Sequence, residues 1–223
     1  MVLLGLTAVV DLLRLAFFAS EIAFLREVLS GGTISLPAAK ASDERIAAAT
    51  GSALLLLLGT AIAWCIWQHR GQRNLRDLGR TQLRFTPGWA VGWWFVPVAS
   101  LFKPFQSVRE LWKASEPTGD RSAWPGSSTW PLIGWWWACW ITSNLLAWVV
   151  RGLRSGQDLH TIVAGDYWWM ASIGLSIVAA ILAILIVRSV IERQTELMAL
   201  VSPVTAIPFM PIAIPAPPMP PMP

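Results

Sequence analysis

Apolar residues fall in long blocks separated by polar connections, and the block lengths predict four transmembrane helices. The blocks cover residues 2–25, 46–68, 130–150 and 167–187. About twenty residues at a rise of 1.5 Å cross a hydrocarbon core roughly 30 Å thick. The first block reads VLLGLTAVVDLLRLAFFASEIAFL, and its Asp11, Arg14 and Glu21 make it a poor signal peptide. At 3.6 residues per turn, Thr7, Asp11, Arg14 and Glu21 lie within an arc of roughly 80°, a polar stripe turned into a bundle. The second block carries no charge and ends on Trp64 and Trp67, which read as interface anchors. Residues 30–45 and 151–166 read as polar connections. The third block contains Asn144, expected to hydrogen-bond to a neighbouring helix, with a substrate contact as the other reading. In the fourth, Ser172 and Ser176 lie one turn apart on a face suited to helix packing.

Between the second and third blocks, residues 70–116 form a distinct module. Arg73, Arg76, Arg80 and Arg84 recur every three or four positions after Arg70, which predicts a helix leaving the bilayer with an arginine face. It should stop near Gly79. Such a face meets anionic headgroups, at about 1 kcal/mol per basic residue near the surface. Residues 85–102 are apolar but short for a span, and Pro97 interrupts them. They read as a re-entrant or interfacial segment, with a fifth span as the alternative. Gly88 and Gly92 form a small-xxx-small pair that would admit another helix. Phe105, Val108, Leu111 and Trp112 then follow helical spacing, with Arg109, Glu110 and Lys113 off that face, as in a helix lying on a membrane surface.

The four-span membrane domain is expected over residues 1–194 and a flexible, proline-rich tail over 195–223. From Ser202 onward the tail has nine prolines and no charge, so it should be disordered or extended with polyproline II character. Pro208/Pro211 and Pro215/Pro218 give the P-x-x-P spacing read by groove-type protein partners. A tail without a partner is the other reading.

Composition agrees with a membrane class. The chain is 55% hydrophobic and 13% charged, with a mean hydropathy of +0.54; soluble domains carry roughly 25% charged residues. Fifteen tryptophans against one tyrosine fit a chain rich in membrane–water interfaces. The net charge is +4, but the basic residues concentrate between the second and third blocks. That argues against nucleic acid and places this connection, and with it both termini, in the cytoplasm. Cys65 and Cys139 sit in apolar runs outside any Cys/His cluster, so neither a metal nor a cofactor is expected. No G-x-S-x-G, H-E-x-x-H or phosphate-cradling glycine loop occurs, which favours a non-enzymatic reading.

One stretch carries a longer pattern. It comprises Arg73-Asn74-Leu75, Leu78-Gly79, Phe85-x-Pro87-Gly88-Trp89-Ala90-Val91-Gly92-Trp93-Trp94-Phe95-x-Pro97, Lys103-Pro104-x-Gln106 and Arg109-Glu110-x-Trp112. This resembles the bacterial integral-membrane family catalogued as domain of unknown function 4328, most closely over residues 70–115. The resemblance implies a multi-span protein of a bacterial inner membrane and brings no activity with it. Members carry an asparagine after the alanine matching Ala99, where this chain has Ser100.

The leading reading is a scaffold or regulatory membrane protein that works through its cytoplasmic basic, Trp-rich face and its tail, its partner surface being anionic headgroups. The alternative is a small oligomeric transporter or channel, with Asp11, Arg14 and Glu21 lining a polar path. An Asp11–Arg14 pair at i and i+3 is the structural account of the same residues. A membrane enzyme ranks last.

Overall fold

The computed structural model describes residues 1–31, 36–153 and 159–201. Among them are six α-helices and no strand: α1 (Val2–Leu29), α2 (Leu36–Asp77), α3 (Pro87–Gly92), α4 (Lys103–Ala114), α5 (Pro131–Leu153) and α6 (Leu159–Val201). Short 3-10 turns cover Trp93–Phe95, Ala99–Leu101 and Trp124–Gly126. The all-α class follows the expectation. Three stretches are long and apolar enough to cross a membrane, Val2–Glu27, Lys40–Asp77 and Val163–Val201. The 23-residue α5, which opens on tryptophans, is not among these three.

Helices α2 and α6 overrun the expected blocks. With 42 and 43 residues they reach about 63 Å, twice the thickness of a hydrocarbon core. The residues expected to form polar connections are helical from Leu36 and again from Leu159. The reason is visible before the second block: Ala38–Ala49 is rich in alanine, lysine, glutamate and arginine, all good helix formers. Residues 195–201, assigned to the tail, are the last turns of α6, with Leu197 buried. The proline-rich remainder, 202–223, lies outside the described residues.

Polar and aromatic contacts set the helices antiparallel. The Thr7 and Thr60 hydroxyls meet at 3.1 Å between α1 and α2. Along α1 and α6, Asp11 meets Ser176, Phe18 packs on Trp169, and Arg26 lies over Tyr167. The start of α1, the end of α2, the start of α5 and the end of α6 therefore share one end of the bundle. The core sits there, where Leu75, Val108, Leu111, Trp112, Ile133, Trp136, Ile186 and Val190 pack together. Away from it, Leu12, Leu13, Leu54, Leu55, Leu57 and Leu58 face outward. Such an apolar exterior has hydrocarbon as its natural solvent.

Candidate functional site

The basic, Trp-rich module is built on the projecting ends of α2 and α6. Helix α2 stops at Gly79 as its sequence requires. The Arg80 N–H donates to the Leu75 carbonyl and the Gly79 N–H to the Arg76 carbonyl, a Schellman motif with Gly79 at φ +77°. Thr86 then caps α3, its hydroxyl accepting from the Trp89 N–H at 3.2 Å, with Pro87 in the first helical position.

Helix α4 departs from the expectation of a surface helix. Its apolar face meets α2, α5 and α6 rather than lipid, and Pro104, Ser107, Val108, Glu110, Leu111 and Trp112 are all buried. Close approach is possible because Gly71 on α2 lacks a side chain; a Cβ there would stand 3.0 Å from Leu111 Cδ1. Arg109 stays exposed over the Phe105 ring.

Three glutamines in otherwise apolar faces supply the polar cement. Gln68 donates to the Ser107 hydroxyl at 3.0 Å and accepts from the Trp94 indole at 2.9 Å. Gln72 donates to the Ser107 carbonyl. Gln194 of α6 donates to the Gly71 carbonyl and the Ser115 hydroxyl, and accepts from Asn74 at 3.2 Å. Trp94 also meets Trp64, Trp137 and Trp140 edge-on. Trp112 donates to Ser189 and lies under Arg193, whose guanidinium carbon is 3.6 Å from the ring centroid. None of these glutamine contacts was expected from sequence. Gln194 had a readable signal, because Ala183, Ile186, Val190, Gln194 and Leu197 repeat at helical spacing and all are buried.

Glu110 holds the ends of the 85–102 segment together. Its two carboxylate oxygens accept from the backbone N–H groups of Arg84 and Phe85, at 2.9 and 3.1 Å. Burial pushes its carboxyl above the ordinary glutamate range, against the pull of those two amides and of the Arg84 guanidinium. Entry and exit of the segment therefore lie side by side. No helix within the segment exceeds six residues, so none is long enough to cross a bilayer.

At its tip, the Ala99 N–H donates to the Pro97 carbonyl at 2.7 Å around Val98, which has φ 63° and ψ −50°. That is a γ-turn of the strained hand, occupied by a β-branched residue. Phe95, Val98 and Phe102 are 77%, 72% and 58% exposed there.

The arginine face is broken. Arg73 stands in solvent, 3.9 Å from Asp77. Arg76 donates to the Phe85 carbonyl. Arg80 turns inward and is held by the carbonyls of Glu116 and Asp120 and by Thr118. Arg84 remains exposed beside a recess of about 250 Å³ that Trp89, Trp93, Lys103 and Gln106 also line. Lys103 lies over the Trp93 ring at 5.7 Å, and Trp93 packs at a tilt against Trp89, ring centroids 4.8 Å apart. Among the described residues no other helix packs on the Gly88/Gly92 pair: a Cβ on Gly88 would meet nothing, and one on Gly92 would meet the Trp89 ring.

The polar residues expected within the spans divide. Asp11 is buried, paired with Arg14 at 2.8 Å, and accepts from Ser176 at 2.8 Å. Glu21 lies half-buried one stripe further along α1. Asn144 is exposed and donates back to the Trp140 carbonyl of its own helix, in place of the neighbouring helix expected.

Among the described residues no group of His, Cys, Asp and Glu could hold a metal ion. The family described as "Domain of unknown function (DUF4328)" matches residues 31–192, a range that contains the whole module. No curated protein and no solved structure matches the chain.

Proposed function

The chain belongs to the family of domain of unknown function DUF4328, and from that premise we propose a non-enzymatic scaffold or regulatory membrane protein that works through its basic, Trp-rich module. In this reading α5 joins the three candidate spans as a fourth, and the module and both termini face the cytoplasm of a bacterial cell.

One observation carries the reading. The Glu110 clamp and the glutamine contacts fix the module rigidly to the ends of α2 and α6, while Phe95, Val98 and Phe102 project from it beside Arg84, Lys103 and Arg109. Apolar tips beside basic groups suit a bilayer surface with anionic headgroups. The Asp11–Arg14 pair, whose carboxylate also accepts from Ser176, supports a packing role over a conduction path. The basic excess between α2 and α5 supports the cytoplasmic orientation.

Cysteine labelling from either side of the membrane tests this. Cys65 and Cys139 would be replaced, and single cysteines introduced as Arg84→Cys, Arg109→Cys and Ala41→Cys, all at exposed positions. The first two should label from the cytoplasmic side and the third from the opposite side. Labelling of Arg84→Cys and Arg109→Cys from opposite sides, or of both from outside only, would overturn the reading.

A further inference from the structure

We propose that the recess between α3 and α4 is a binding site for a phosphate-ester anion, supplied by the headgroup of an anionic phospholipid. The inference rests on the membrane-surface reading above and adds a defined site to it.

The chemistry of the walls selects the ligand. Arg84 and Lys103 bring two positive charges to one recess of about 250 Å³. Among the described residues, neither forms an ion pair within 4 Å. The Glu110 carboxylate accepts from the backbone amides of Arg84 and Phe85 and feels the Arg84 guanidinium, but forms no ion pair with it within 4 Å. The Thr86 hydroxyl, whose oxygen accepts from the Trp89 N–H, keeps its own proton to donate. Gln106 adds an amide. Guanidinium, ammonium, hydroxyl and amide donors converging from several directions suit a tetrahedral oxyanion.

Position selects the source. The tilted pair of Trp89 and Trp93 forms one wall, and the exposed Phe102 adjoins Lys103. With the Phe95–Phe102 tip in the acyl region, a lipid phosphate at headgroup depth falls beside this wall, where tryptophan also prefers to sit. The larger recess, of about 360 Å³ between α2 and α6, is walled by Ala63, Ile66, Trp67 and Ile191 and has a single cation, Arg70. It lacks the paired charges.

The test uses the purified full chain in detergent, with lipid retention read by native mass spectrometry. Phosphatidylglycerol would be titrated against phosphatidylcholine, and inorganic phosphate added as competitor. The wild type should retain phosphatidylglycerol preferentially. The double variant Arg84→Gln/Lys103→Gln should lose about thirtyfold in affinity, as two basic residues near a surface predict. The variant Arg45→Gln/Arg73→Gln removes the same charge outside the recess, at two exposed positions of α2, and should keep the preference. Because the Arg84 and Lys103 side chains hold no other element by a hydrogen bond among the described contacts, far-UV circular dichroism should be unchanged.

Full displacement of lipid by millimolar inorganic phosphate would assign the same anion site to soluble phosphate esters. Equal retention of the two lipids, or equal losses in the two double variants, would overturn the site. This assay does not depend on orientation, so its failure is separable from a failed labelling experiment.

Discussion

The carboxylate of Glu110 accepts from the Phe85 backbone N–H at 3.1 Å, across 25 residues of sequence and from a helix of its own. With the Arg84 amide on its other oxygen, it closes the 85–102 segment into a loop whose two ends cannot part. Glu110→Ala would leave two amides without acceptors, at about 1–3 kcal/mol each. Thermal unfolding in micelles should show that loss, and limited proteolysis should cut within 85–102 first. A variant that melts like the wild type would mean that the clamp is dispensable.

The same carboxyl makes stability depend on pH. Burial holds it above the ordinary glutamate range, so its contribution is complete below that range and is lost as pH rises through the folded-state value. Relative to Glu110→Gln, the wild type should therefore lose stability over the pH window that opens above the ordinary glutamate range, from about pH 4 upward. Parallel melting curves over that window would contradict it.

Gln194 joins α6 to α2 and α4 through Gly71, Ser115 and Asn74. Gln194→Ala should destabilise by about 1–3 kcal/mol, since it strands buried partners. The double variant Asn74→Ala/Gln194→Ala should cost less than the sum of the singles, because they share one hydrogen bond. Strict additivity would separate the two residues.

Val98 sits at φ 63°, a conformation that strains a β-branched residue by about 1–3 kcal/mol. Val98→Gly relieves that strain and gives back about 0.5–1 kcal/mol in unfolded-state entropy, so its melting temperature should rise above that of Val98→Ala. If the alanine variant is the more stable, the turn is not strained.

Asp11 and Arg14 form a buried pair that Ser176 completes. Asp11→Leu alone should cost about 3–5 kcal/mol and lower accumulation, because it leaves a buried guanidinium unpaired. Asp11→Leu/Arg14→Leu should recover most of it. A single variant that accumulates normally would favour a conducting role for Asp11.

Much of this architecture is written in local patterns. Block length against bilayer thickness marks the membrane-length helices, Gly79 marks the end of α2, and Thr86-Pro87 marks the start of α3. Each depends on a few neighbouring residues and on backbone rules that hold anywhere. Other features were misread for a common reason. Helical periodicity showed that Phe105, Val108, Leu111 and Trp112 share a face, but lipid and protein are equally apolar, so periodicity cannot tell which of them that face meets. The arginine repeat likewise showed a helix and not that Arg80 turns inward, since its acceptors are carbonyls of Glu116 and Asp120, beyond α4.

The sequence by itself determined the helical class, the membrane-length blocks, the local caps and the family signature. Only the tertiary structure decided that α4 is buried, that Glu110 ties the Trp-rich segment into a loop, and that Arg84 and Lys103 face one recess. Those relationships join groups separated by 19 to 120 residues, as Arg84 with Lys103 and Asn74 with Gln194. A hydrogen bond or a shared recess exists only once packing has brought such groups within reach.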